Sequence, residues 1–192
     1  MDECLLLVVT GVPGTGKTTV STLLAAELGA EHIELTRLVK EGGFNQGWDQ
    51  TRATTIADMK ALRHAIANIV ENTTSPVIVD GHYSAEVAPQ EKTTLVVVLR
   101  RAPWALKEEL KARGYSTRKV RENVEAELLG TCLSDALAIH DPAKICEIDT
   151  TGETPEETVR FILAVLDSEV DCSHGKVDWM SHPEAEALLR KL

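Results

Sequence analysis

The sequence predicts an α/β three-layer fold built on a central parallel sheet of about five strands. Three observations predict it. Apolar runs of strand length recur at Leu5–Val9, Val77–Val79 and Leu95–Leu99, without the polar alternation of a half-exposed strand. Segments of helical periodicity separate them, as crossovers between parallel strands require. The first run leads directly into Gly11-Val12-Pro13-Gly14-Thr15-Gly16-Lys17-Thr18-Thr19. That is a P-loop pattern in the strand-to-helix setting it needs.

Each part of the loop has a mechanical use. Gly11, Gly14 and Gly16 open backbone turns that a Cβ would obstruct. The freed N–H groups then converge on an anion, helped by the positive end of the following helix. Lys17 is placed to reach the β/γ-phosphates, with Thr18 as the Mg²⁺ ligand and Thr19 beside it. The expected ligand is a nucleoside triphosphate.

With 192 residues and 43% hydrophobic content, one core-forming domain is the default. A net charge of −10 argues against non-specific nucleic-acid binding and suits a basic protein partner. No apolar run approaches membrane-spanning length, and Met1-Asp2-Glu3 lacks the basic start of a signal peptide. The scattered Cys4, Cys132, Cys146 and Cys172 form no metal or disulfide pattern, so free thiols in a reducing cytoplasm are expected.

In chain order, Val20, Leu23, Leu24 and Leu28 mark a helix that Gly29 ends, and His32–Leu35 alternates as a short strand. Residues 36–55 read as a mobile insertion outside the core, carrying Phe44, Trp48, Arg37, Lys40 and Arg52. It either closes over a second substrate or is a plain connection. A helix over about 54–71 then presents Ile56, Met59, Leu62, Ile66, Ile69 and Val70. Asp80 ends the Val77–Val79 strand, at the sheet edge where ligands gather and where a magnesium-associated carboxylate belongs, unless it only caps a turn. His82, two residues on, positions a water or phosphate, or bonds locally.

Between Arg100 and Arg121 stand eight Lys/Arg against Glu108 and Glu109. Pro103 suits the first position of a helix ending near Arg113-Gly114-Tyr115, and a second helix runs from about Thr117 through Leu129 and Leu133 towards His140. The basic corner is either a lid that meets phosphoryl charge or a solvated face. Ile145–Ile148 is a further strand. Thr154-Pro155-Glu156-Glu157 opens a capped helix over the sheet. Residues 169–192 read as an appendage, with Val177, Trp179 and Met180 available to pack on the body.

The P-loop, the Val-Ile-Val-Asp-Gly-His strand end, the Leu-Lys-Ala-Arg-Gly-Tyr-Ser corner, Glu122-Asn123 and Asp149-Thr150-Thr151-Gly152 stand in one order. Together they resemble the adenylate kinase isoenzyme 6 family, particularly its archaeal members, over roughly residues 5–168. In eukaryotes these are nuclear adenylate-kinase-like ATPases needed for late maturation of the small ribosomal subunit. The resemblance implies a P-loop NTPase fold of the nucleoside monophosphate kinase type, phosphoryl transfer from ATP to an NMP, and an intrinsic ATPase. It implies ATP phosphates on Gly14, Gly16, Lys17, Thr18 and Thr19, Arg113 as the lid residue touching ATP, and Asp80 and His82 handling magnesium and water. It further implies an NMP-binding segment at about 34–57 and a lid at about 113–123. The implied partner is a basic small-subunit ribosomal protein. Lys40 and Arg37 depart from the eukaryotic pattern, which carries an arginine and an acid there.

The reading is therefore an NMP kinase domain over 1–168, with Mg²⁺ on Thr18 and Asp80, and with Lys17, Asp80, His82 and Arg113 as catalytic residues. No membrane and no stable direct nucleic-acid binding are expected. The rivals are an ATPase switch for ribosome assembly and a small-metabolite kinase on the same scaffold.

Overall fold

A computed structural model describes residues 4–50 and 54–190, so the acidic N-terminus and Arg52 lie outside the described residues. Five parallel strands form the sheet: β1 (Leu6–Thr10), β2 (Glu31–Glu34), β5 (Val77–Asp80), β6 (Leu95–Arg100) and β7 (Ile145–Asp149), in spatial order β2-β5-β1-β6-β7. Between β2 and β5 lies a separate antiparallel hairpin, β3 (Asn45–Asp49) with β4 (Thr54–Ala57).

Both faces of the sheet are covered, which is why its strands read as continuous apolar runs. Leu7, Val9, Ile78, Val97 and Leu99 pack against α1 (Lys17–Leu28) and α8 (Pro155–Leu166) through Val20, Leu24, Val159 and Ile162. On the other face, Leu6, Val77 and Val79 meet α2 (Leu35–Glu41) and α3 (Met59–Asn72). Alongside them, Val8, Val96 and Val98 meet α5 (Pro103–Ala112), α6 (Thr117–Leu128) and α7 (Thr131–Ile139), with the one-turn α4 (Ser84–Val87) between. The caps are those the sequence predicts: Gly29 closes α1 in the left-handed conformation, and Thr154 with Glu157 forms a full capping box on α8.

Four expectations need correction. The third helix begins at Met59, because Asp58 accepts the Ala61 N–H and caps it. The β-branched Thr54-Thr55-Ile56 ahead of it pairs as β4, leaving Ile56 exposed. Residues 36–55 also contribute to the core, since Val39 of α2 is buried beside Leu35. The long helix after the basic corner is two helices. Gly130 takes φ +63° between them, and the break turns Leu129 out to 70% exposure. Finally, Cys146 and Cys172 are disulfide-bonded, and only Cys4 and Cys132 are free among the described residues.

The disulfide ties the last stretch to β7, and this stretch is docked rather than merely appended. The N–H groups of Gly175, Lys176 and Val177 donate to one Glu147 oxygen at 2.8, 3.0 and 3.3 Å. Trp179 is buried edge-on to Trp104, and α9 (Pro183–Leu189) buries Ala185 and Leu188, whereas Met180 is exposed. Among the described residues no helix is long and apolar enough to cross a membrane.

Candidate active site

The site grows from three neighbouring strand ends. β1 runs into the P-loop, β5 ends at Asp80-Gly81-His82, and β2 ends at Glu34 with α2 starting immediately after. Parallel strands deliver their carboxyl ends to one edge, so these segments converge. They surround a cavity of about 230 Å³ lined by Pro13, Gly14, Gly16, Lys17, Thr18, Thr19, Glu34, Thr36, Asp80, Gly81, His82, Arg113 and Tyr115. Every site residue predicted from the sequence lines it.

Local geometry explains the loop. Gly14 has φ +98°, and a Cβ there would lie 2.6 Å from Leu106 Cδ1, so α5 can pack under the loop only because position 14 is glycine. Thr15 steadies the turn through its hydroxyl, which donates to the Val12 carbonyl at 3.0 Å. The N-cap of α1 is Gly16, which supplies no capping side chain, and the first turn, Lys17, Thr18 and Thr19, lines the cavity. Lys17 Nζ donates to the Val12 carbonyl at 3.0 Å. Burial lowers the Lys17 pKa; Cys132, Asp80 and Glu127 act in the opposite direction, and Arg113 adds to the lowering. The Cys132 thiol beneath the site is pushed up to about 11 by burial, so it is no nucleophile.

His82 opens onto the cavity, its ring edge-on to Tyr83. Enclosure by protein and the nearby Lys17 bring its pKa down to about 4, so the imidazole is neutral at pH 7. Asp80 is only 1% exposed, and among the described residues neither of its oxygens has a hydrogen-bond partner. His32 Nε2 lies 3.5 Å from Oδ2. A buried, unsatisfied carboxylate at a phosphate cavity fits a hard divalent cation, and the exposed Thr18 hydroxyl on the same wall supplies a second oxygen.

Arg113 follows α5 at the corner that Gly114, with φ +76°, turns, and Ser116 caps α6 by accepting the Lys119 N–H. Its guanidinium is paired with Glu109, which also holds Arg101 at 3.1 Å. The basic stretch is otherwise largely neutralised. Arg118 and Arg121 pair with Glu122 and Glu125, Lys111 pairs with Glu108, and Arg100 is buried between Glu127 and Glu147. Counting charge along the chain up to Arg121 misses acids that begin one residue later. Of the basic residues in that stretch, Arg113 lines the P-loop cavity.

A second cavity of about 800 Å³ adjoins the first. The insertion supplies Thr36, Val39, Lys40, Trp48, Thr54, Thr55 and Ala57, and the lid side supplies Tyr115, Lys119, Glu122 and Asn123. Pro13, Thr36, His82 and Tyr115 line both cavities and form the wall between them. Arg37 faces solvent and pairs with Glu41. Sequence reasoning gave His32 no role, and reached Glu34, Thr36 and Tyr115 only as members of the implied NMP-binding and lid segments. Period-two alternation on β2 was the available signal for the first two, since it puts His32 and Glu34 on one face.

Comparison with known proteins agrees with this architecture. A family model described as an AAA domain matches residues 7–130. A protein of Thermococcus kodakarensis named "Putative adenylate kinase" is 39% identical over 175 residues, covering 91% of this chain and 93% of that one. Among solved structures, shikimate kinase from Bacteroides thetaiotaomicron aligns with TM-score 0.57 at 17% identity, over 85% of this chain and 98% of that one. Thymidylate kinase from Candida albicans aligns with TM-score 0.56 at 14% identity, over 90% and 97%. The two structures share the fold and act on chemically different acceptors, so the fold leaves the acceptor open.

Proposed function

The chain belongs to the AAA-domain family of P-loop proteins and to the family of its archaeal adenylate kinase relative, and from that premise we propose that it is a nucleoside monophosphate kinase. It transfers the terminal phosphate of ATP to an NMP and hydrolyses ATP slowly when water takes the acceptor's place. The observation that carries this reading is the pair of unequal cavities meeting at Pro13, Thr36, His82 and Tyr115. The smaller suits a polyphosphate, and the larger has room for a nucleoside.

In the proposed mechanism the P-loop N–H groups and Lys17 hold the β- and γ-phosphates, and Arg113 meets charge that spreads over the transferred group. Thr18 and Asp80 would hold Mg²⁺, which when bound neutralises phosphate oxygens. Lys40 and Lys119, on the wall of the larger cavity, attract the acceptor's phosphate. That phosphate's own oxygen is the nucleophile, so the protein's work is alignment and charge neutralisation rather than covalent catalysis. Closure of the insertion and the corner over both cavities would exclude water.

A second reading, an ATPase switch, draws on His82. A neutral imidazole in the shared wall can accept a proton or orient a water at the γ-phosphate. In that role we place the protein in maturation of the small ribosomal subunit, where its net charge of −10 complements a basic ribosomal protein. Product analysis with ATP–Mg²⁺ separates the readings. ADP matched by a new nucleoside diphosphate on adding AMP, CMP, GMP or UMP supports the kinase and names its acceptor. ADP matched by free phosphate, unmoved by any monophosphate, supports the ATPase; absence of ADP overturns both.

A further inference from the structure

Asp80 raises a physical problem that its own strand does not solve. Its carboxylate is buried without a hydrogen bond, and Glu34, another acid, lines the same cavity from the neighbouring strand end. The parallel register of β2 and β5 sets Glu34 opposite Asp80 and His32 opposite Ile78. Because side chains alternate along a strand, His32, Glu34 and Asp80 share one face, while Ile33 and Leu35 are buried with Val79 on the other.

We propose that His32 is a positioning residue that orients the Asp80 carboxylate for the divalent cation of the nucleotide complex. His32 Nε2 lies 3.5 Å from Asp80 Oδ2, and both atoms are buried without any hydrogen bond. A small ring rotation brings that approach to N–H···O distance, giving each atom the partner it lacks. With Oδ2 held, Oδ1 is left for the cation or a water in its shell. A hydrogen-bonded carboxylate behind a metal is a common way for a protein to aim its ligand, and losing such a partner typically costs about 10–100-fold in metal affinity. The side chain of His32 is 19% exposed, so it can be replaced without opening the core. This inference rests on the kinase reading for the role of Asp80.

The test uses the full chain with ADP, and Mn²⁺ as the probe, its free fraction measured by electron paramagnetic resonance. His32→Leu is expected to weaken Mn²⁺ in the ADP complex by about tenfold. ADP binding in EDTA and the unfolding temperature should stay at wild-type values. His32→Gln, whose amide reaches a similar position, should retain most of the affinity. Wild-type Mn²⁺ affinity in His32→Leu, or equal loss in the Gln and Leu variants, would overturn the proposal. Asp80→Asn serves as the control. If that variant also binds Mn²⁺ like wild type, the metal role of Asp80 is wrong and His32 positions nothing. Failure of the kinase reading itself registers separately, in the product analysis.

Discussion

Two sites of buried acid in this molecule, the Glu127–Glu147 pair and Asp80 alone, are treated in opposite ways. Under the tail, Glu147 receives Arg100 on one oxygen and three backbone N–H groups on the other. Glu127 receives Arg100 Nε at 2.7 Å, the Trp179 indole N–H at 2.9 Å and the Arg101 N–H at 3.1 Å. Burial raises the Glu127 pKa, and Arg100 with these donors offsets only part of the rise. Asp80, equally buried, has no hydrogen bond among the described residues. The satisfied cluster fastens the tail to β6, β7 and α6. The unsatisfied acid sits in the P-loop cavity, where a ligand can supply what the protein withholds. An unpaired buried charge costs stability, so its presence in the cavity points to function.

Mutations can sharpen or break that contrast. On the site side, Lys17→Ala should lower ATP turnover, both transfer and hydrolysis, by about 10³-fold with the unfolding temperature unchanged. Loss of fold instead of rate would move Lys17 into the structural class. On the tail side, Arg100→Leu leaves Glu127 and Glu147 buried without their cation and should cost about 4 kcal/mol in urea unfolding. A loss below about 1 kcal/mol would mean that the network contributes little. Cys172→Ser opens a link between residues 26 apart. By chain entropy it should cost about 3.5 kcal/mol, read in the same experiment.

Asp80→Asn is the sharpest test of the comparison. It should reduce turnover by about 10²-fold while leaving stability equal or slightly higher, because it removes an unpartnered charge. Lower stability together with intact activity would reverse the assignment. The smallest effect expected is for His82→Ala, about tenfold in hydrolysis and less in transfer to a monophosphate. Equal loss of both activities would remove its water-handling role.

What could be read in advance follows from how far each signal reaches along the chain. Gly14, Lys17 and Thr18 declare the loop within a few residues, as do Gly29 for α1 and the Thr154–Glu157 box for α8. The hairpin was harder, since Thr54-Thr55-Ile56 is too short to separate a strand period from a helical one, and Asp58 decided the matter. The divided helix after the corner turned on one glycine whose backbone conformation the sequence does not reveal.

The sequence by itself determined the β-loop-α unit with its P-loop, the parallel sheet and the acid at the end of β5, because those rest on local periodicity and backbone freedom. Only the tertiary structure decided that Cys146 meets Cys172, that Arg100 serves Glu127 and Glu147 rather than a ligand, and that His32 faces Asp80. These partners lie tens of residues apart along the chain. The strand order β2-β5-β1-β6-β7 brings them within reach, and no local pattern encodes which distant residues a sheet will make neighbours.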